Sequence, residues 1–308
     1  MPRDWDAETY DRISDPQFRW GASVVGRLDL DGGETVLDAG CGSGRVTELL
    51  AERLPRGRVV ALDGSASMIE QARRRLQRFG DRIRFVVADL LHPLPLAEPV
   101  DAVLSTATFH WIPDHDALFA NLAAALRPEG RLAAQCGGAG NLESVVRALE
   151  ELGAEAFTEK VFATPERTSE RLRLAGFADI ECWLHAEPTP FETLEVLETF
   201  LRTVALGDHV ATMGDDEAEA FVHGVAERLP RRELDYVRLN MEAFDSLELE
   251  PVEFLDRGEV IVVVLRQRNG AGSRVRSCAR SHRPVPDARP RQCELAAVPR
   301  TAVDDAAP

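Results

Sequence analysis

The sequence predicts an α/β fold: a doubly wound, seven-stranded, mostly parallel sheet with a helical insertion near its end. Three observations carry this. Between Glu34 and Gly137, apolar runs of strand length alternate with stretches of helical periodicity, the pattern of parallel strands joined by right-handed crossovers. The first run, Val36-Leu37-Asp38-Ala39, enters the glycine-rich turn Gly40-Cys41-Gly42-Ser43-Gly44 and then a helix, so close backbone approach and free helix N–H groups converge on one space. Nineteen residues after Gly44 the second run ends in Asp63, placed to accept hydrogen bonds from ribose hydroxyls.

The elements follow in order. Strands are expected at Thr35–Leu37, Arg58–Leu62, Ile83–Val87, Ala102–Ser105 and Arg131–Cys136. Val46, Leu49, Leu50 and Leu54 line one helix face; Met68, Ala72 and Leu76 line a second, beside Ile69; Leu118, Leu122, Ala125 and Leu126 line a third. Asp114 or Asp116 is a plausible N-cap, and Arg127-Pro128-Glu129-Gly130 reads as a stop before a strand. Asn141 to Leu152 is amphipathic, Thr164-Pro165-Glu166 opens a helix, and Gly176 suits its left-handed cap. A strand at Asp179–Leu184, helices from about Phe191 to Leu229 and a last strand at Leu234–Met241 complete the count.

Composition excludes several classes. The net charge of -16 disfavours nucleic acid and anionic membrane surfaces. No apolar run approaches the ~20 residues of a spanning helix, and Met1 to Asp6 is too charged for a signal peptide. Cysteines 41, 136, 182, 278 and 293 form no Cys-x-x-Cys pair, which fits reduced thiols in a cytoplasm and no metal site. The single lysine, Lys160, reads as compositional bias. The first 266 residues hold 28 cationic and 48 anionic side chains, whereas Gln267 to Pro308 holds eight arginines against four acids and few core residues; this basic tail is expected to be disordered.

Asp38 before the turn, the Gly-x-Gly-x-Gly spacing, Asp63, and Asp89 in Val86-Val87-Ala88-Asp89-Leu90 together point to a nucleoside cofactor. An acid at Asp89 can meet an adenine amine while Leu90 packs on the ring. The Gly-x-Gly-x-x-Gly spacing of dinucleotide binders is missing.

These residues resemble class I S-adenosylmethionine-dependent methyltransferases. Asp38 to Gly44 looks like their motif I, Asp63-Gly64-Ser65-x-x-Met68 like the acidic second-strand loop, Ala88-Asp89-Leu90 like the adenine loop, and Asp101 to Trp111 like motif IV. The continuation Ile112-Pro113-Asp114-His115 is similar to the trans-aconitate methyltransferase group, although malonyl-thioester and quinone methyltransferases carry similar text. The resemblance runs from about Trp5 to Asn240 and implies a Rossmann-like methyltransferase fold whose last strand is antiparallel. It also implies S-adenosyl-L-methionine as cofactor, held by Asp38, Gly40, Cys41, Gly42, Gly44, Asp63, Gly64, Met68, Asp89, Leu90, Ser105 and Thr106. A segment 1–30 with Tyr10, Gln17 and Trp20 would form a lid, and the insertion at about 190–229 would shape the acceptor pocket.

The resemblance implies transfer of a methyl group to a small molecule, a carboxylate by analogy with trans-aconitate; a malonyl-thioester or quinone acceptor, or cofactor binding without transfer, are the other readings. A carboxylate is already ionised and needs no base; a hydroxyl or amine would, and His110 is the nearest candidate by sequence. His110 reads either as that base or as a hydrogen-bonded wall residue, and Trp111 as core packing or as pocket lining. An anionic acceptor in so acidic a chain needs a local basic group, for which Arg19 and Arg202 are the candidates. The expected domain is 1–241, as a monomer or weak homodimer. Glu242 to Arg266 resembles a short piece of a SnoaL-like domain.

Overall fold

The computed structural model describes residues 15–157 and 160–245, with side chains from residue 19, and four strands beyond them, Leu249–Asp256, Ile261–Gln267, Arg276–Ser277 and Ala296–Ala297. The chain divides into two units, Met1–Ser246 and Leu247–Pro308. Tyr10 lies outside the described residues, as does the side chain of Gln17 and most of the expected tail.

In the first unit α1 (Asp15–Val25) precedes β1 (Thr35–Ala39), α2 (Arg45–Arg53), β2 (Arg58–Asp63), α3 (Ala66–Leu76), β3 (Ile83–Val87), β4 (Val100–Thr106), α4 (His115–Ala125) and β5 (Leu126–Gly137). Then come α5 (Glu143–Glu151), α6 (Pro165–Leu174), β6 (Phe177–Pro190), α7 (Leu194–Phe200), the short α8 (Gly207–Val210), α9 (Asp215–Arg228) and β7 (Glu233–Asp245). The seven strands stand in the order β3-β2-β1-β4-β5-β7-β6. β1 to β5 pair in parallel, and β7 runs antiparallel to both β5 and β6.

Side-chain alternation shows why the sheet is covered on both faces. Leu37, Leu62 and Val103 pack with Phe109, Leu118 and Leu122 on one side. Their chain neighbours Val36, Ala61 and Leu104 pack with Leu50, Ala72 and Leu76 on the other. Each of these side chains is almost wholly buried, a stabilisation of roughly 1.5–3 kcal/mol for each large aliphatic one.

Several boundaries differ from expectation. The stop at Arg127-Pro128-Glu129-Gly130 is a bulge within β5: the register passes from Val100↔Leu126 to Ala102↔Arg131, and Glu129 takes a left-handed φ of 64°. β7 continues past Met241 to Asp245, because Glu242, Ala243 and Phe244 still pair with β5 and Asp245 pairs with Phe177 of β6. Glu242 to Asp245 therefore belongs to this sheet and not to a separate fragment. In the second unit, Leu249–Asp256 and Ile261–Gln267 pair antiparallel, as do Arg276–Ser277 and Ala296–Ala297.

The segment expected as a lid is, in its described part, built into the core. Val24, Val25 and Leu28 are buried against the sheet, and Trp20 stacks edge-on against Tyr236, 5.0 Å between centroids. The insertion is broken into short helices: a π-type turn at Leu201–Ala205, closed by Leu206 N–H donating to Leu201 O at 2.7 Å, separates α7 from α8. Leu197, Phe200, Leu201, Val222 and Val225 seat it on Leu149 of α5 and Tyr236 of β7.

Candidate active site

The glycine turn lies at the carboxyl end of β1, where open α/β sheets bind ligands. Gly40 and Cys41 donate their N–H groups to Leu62 O at 2.8 and 2.9 Å, which clamps the turn to β2. Gly40 has φ +83°, and a Cβ there would lie 2.1 Å from Thr108 Oγ1; only glycine lets this backbone pass beneath the motif IV turn. Gly44, at φ +85°, caps α2, and a Cβ on it would press on Ala72 and Leu76 of α3.

A cavity of about 410 Å³ opens above this turn. Of the expected site residues, Gly40, Gly42, Asp63, Gly64, Met68, Asp89, Leu90, Thr106, His110 and Trp111 line it. Asp38, Cys41, Gly44 and Ser105 are not on its wall. Ser105 Oγ donates to Ala39 O at 2.6 Å, tying the end of β4 to β1. Cys41 is buried, and burial beside Asp38 and Asp63 pushes its thiol well above the usual range, so it acts as a small packing residue.

Asp38 lies below the cavity floor. Its Oδ2 accepts from Thr47 Oγ1 at 2.7 Å, whereas its Oδ1 is buried and makes no hydrogen bond. Burial, and more weakly Asp63, push its pKa up to about 7 against the opposing Thr47 hydrogen bond. Asp63 spreads its carboxylate between the N–H of Gly42 and that of Ser65, both at 2.9 Å; burial still raises its pKa. Asp89 Oδ1 accepts from Leu91 N–H at 3.0 Å, and Leu90 is buried beside it. Two carboxylates held against their preference for water make this end of the cavity a site for positive charge.

Opposite them lies a turn of 3₁₀ helix, Phe109–Trp111. Phe109 is driven into the core against Phe119, which turns His110 and Trp111 to the cavity. His115 Nε2 bonds Phe109 O at 2.9 Å, and Asp114 caps α4 by accepting from Asp116 and Ala117 N–H at 3.0 Å. Much of the Trp-Ile-Pro-Asp-His run thus builds the turn. Gly137 N–H donates to His110 Nδ1 at 3.3 Å, and burial together with Arg238, Lys160 and His115 lowers the His110 pKa well below the usual value. Burial and these neighbours thus disfavour a second proton on the His110 ring.

Two cations that the sequence left unassigned reach the same wall. Arg238 of β7 is buried; its guanidinium lies over Trp20, 4.5 Å from the centroid, and Nε donates to Gln135 Oε1 at 3.4 Å. Lys160 Nζ donates to Ala205 O at 2.8 Å and sits 3.9 and 4.6 Å from the ring centroids of Phe157 and Trp111. Val161 N–H donates to His110 O at 2.8 Å, which docks the lysine-bearing segment on the 3₁₀ turn. The proposed cations Arg19 and Arg202 are exposed; Arg202 pairs instead with Asp215 at 2.9 Å. Neither lines the cavity. A sequence signal existed for Arg238: Leu234, Tyr236, Arg238 and Asn240 share one face of a strand, and a charge among inward residues marks a site.

The residues present fit S-adenosylmethionine. The orphaned Oδ1 of Asp38, the raised acid at Asp63 and the backbone cradle at Gly40 and Gly42 suit a ligand with a sulfonium, an ammonium and a ribose. When bound, it supplies an electrophilic methyl group. Asp63 would accept from the ribose hydroxyls, Asp89 and Leu90 would hold the base, and Asp38, beneath the floor, would favour the cationic methionine part through space.

Comparisons with known proteins agree. A family described as a methyltransferase domain matches residues 36–130. A trans-aconitate 2-methyltransferase of Azoarcus sp. is 40% identical over 131 residues, 42% of this chain; the match spans about half, 50%, of that relative's length. One of Rhizobium etli is 31% identical over 238 residues, covering 74% of this chain and 90% of its own. Among solved structures, phosphoethanolamine N-methyltransferase 2 of Haemonchus contortus, in complex with phosphomonomethylethanolamine and S-adenosylhomocysteine, aligns with a TM-score of 0.52 at 21% identity, over 78% of this chain and 56% of that one. That likeness is one of fold. The chain belongs to the class I S-adenosylmethionine-dependent methyltransferases, among relatives named trans-aconitate 2-methyltransferases.

Proposed function

We propose that this chain methylates a small molecule on a carboxylate, with trans-aconitate the first acceptor to assay. The observation that carries this is the charge layout of the cavity: Asp63 and Asp89 line one part of its wall, Arg238 and Lys160 another. In a chain of net charge -16, a buried arginine and the single lysine on one cavity wall favour an anionic acceptor.

The residues divide the work simply. Asp38 and Asp63 favour the cationic cofactor. Arg238 holds an acceptor carboxylate, its aim fixed by Gln135 and by stacking on Trp20. Trp111 and Phe162 wall the space and exclude water. Methyl transfer is an in-line displacement in which opposite charges vanish, so alignment in a dry pocket supplies most of the acceleration. The test is mass spectrometry on a panel of carboxylates, phenols and amines incubated with methyl-labelled cofactor. Labelled methyl esters are expected. Label on amines or phenols alone would refute the reading.

A further inference from the structure

His110 sits where the cofactor wall and the cationic wall meet, and three features fix what it can do. Gly137 N–H points at Nδ1 from 3.3 Å, which makes that nitrogen the acceptor and leaves the ring proton on Nε2. The ring is held between Trp111, 5.2 Å away, and Phe162, stacked at 6.0 Å with 29° between planes, so it cannot turn over without displacing an aromatic wall. The charged neighbours are Arg238 from β7 and Lys160 from the segment before α6, with the titratable ring of His115 from α4, whose own pKa burial lowers; the nearby carboxylate of Asp208 on the same cavity is exposed. A second proton on the ring would meet two cations, Arg238 and Lys160. Among the described residues no hydrogen bond is made to Nε2, and that nitrogen is not among the sealed, partnerless polar atoms.

We propose that His110 is a fixed neutral donor whose Nε2–H binds and orients a carboxylate oxygen of the acceptor, so that the site works without a general base and takes only acceptors that arrive ionised. This rests on the carboxylate reading above and deepens it. The carboxylate oxygen uses a lone pair to form the bond to the methyl carbon, the electron pair of the carbon–sulfur bond returns to sulfur, and the products are a neutral ester and a neutral thioether. No proton leaves or enters, so nothing is asked of a base. A neutral hydroxyl or ammonium acceptor would have to lose a proton beside two cations, with an imidazole whose free nitrogen is already a donor.

The test uses the full chain with ¹⁵N-labelled histidine, His110→Gln for assignment, and S-adenosylhomocysteine with trans-aconitate as the probe. Long-range proton–nitrogen spectra should show His110 as the neutral Nε2–H form from pH 5.5 to 8.5, with that resonance moving on addition of trans-aconitate. In transfer assays His110→Phe should raise KM for trans-aconitate roughly tenfold or more. His110→Gln, which keeps an N–H donor and cannot titrate, should recover most of that loss with the same pH profile. A His110 that titrates near neutrality, or carries its proton on Nδ1, in an enzyme that does methylate trans-aconitate would overturn the role. So would a His110→Gln variant that loses kcat as fully as His110→Phe. A wild-type chain that methylates no carboxylate would refute both the carboxylate reading and this role of Nε2–H.

Discussion

Cofactor binding should expel a proton, and Asp38 should be its main source. In the free protein burial holds this carboxyl near pKa 7, against an ordinary value of 3.8. The difference of about 3 pH units corresponds to about 4 kcal/mol of cost for the ionised form at high pH. A cationic ligand seated above the floor that covers Asp38 offsets that cost through space, because its charge favours the ionised form. At pH 7 about half the molecules carry the proton and must release it, and at pH 6 nearly all must. S-adenosylmethionine affinity should therefore rise up to about tenfold per pH unit between 6 and 7. Calorimetry in buffers of different ionisation enthalpy reads the proton directly, with about half a proton released at pH 7. Asp38→Asn should weaken binding and remove most of the release. Equal proton release by wild type and Asp38→Asn, or none by either, would refute the reasoning. Stability moves oppositely. The folded-state pKa lies above the unfolded one, so the free protein loses stability as pH rises from about 4 through 7. Asp38→Asn should then melt higher than wild type at pH 8 without cofactor, a stability gain made at the cost of function.

Other consequences follow from the same geometry. Arg238→Met should raise KM for a carboxylate acceptor by roughly 10- to 150-fold, the loss of one charge-assisted contact, while cofactor affinity holds and thermal stability stays level or rises, since a buried charge is exchanged for an apolar chain; initial-rate kinetics and melting curves check both. Lys160→Met should raise the same KM less, because Nζ is shared with Ala205 O. Gly40→Ala places a Cβ 2.1 Å from Thr108 Oγ1 at φ +83°; about 1–2 kcal/mol for the left-handed backbone alone, plus the clash, should abolish measurable cofactor binding in calorimetry. Gln135→Leu removes the partner of Arg238 Nε and of Asn240; KM for the acceptor should rise several-fold with kcat nearly unchanged, a split that a general loss of folding would not give.

The first three parallel strands were legible because they are short apolar runs closed by glycine or acid, whereas β4 and β5 begin earlier than their apolar runs, β5 across the bulge at Arg127–Gly130. β6 and β7 were read short: at 14 and 13 residues, β6 is mostly exposed or half-buried and β7 mixes charged with apolar residues, so no continuous apolar run marks their limits. The cofactor end of the site was equally legible, since Asp38 and Asp63 lie at the ends of β1 and β2, and the glycines and Asp89 come just after β1 and β3. The acceptor end was not. It is assembled from His110, Lys160, Ala205 and Arg238, which lie far apart in sequence and meet only when the segment before α6, the insertion and β7, paired beside β5, come together. Lys160 carried a compositional oddity but no periodic context, and Arg238 was left unassigned while Arg19 and Arg202, both exposed, were the candidates. Ser105 illustrates the converse: a residue placed at the site by motif is occupied in holding two strand ends together.

The central claim is a cavity with an acidic cofactor end and a basic acceptor end, and a crystal structure with S-adenosylhomocysteine and trans-aconitate bound together tests it most directly. The account predicts ribose hydroxyls on Asp63, the adenine against Asp89 and Leu90, and acceptor carboxylates within hydrogen-bonding distance of Arg238, Lys160 Nζ and His110 Nε2. An acceptor bound away from all three of those groups, or an adenosine seated at Arg238, would contradict it.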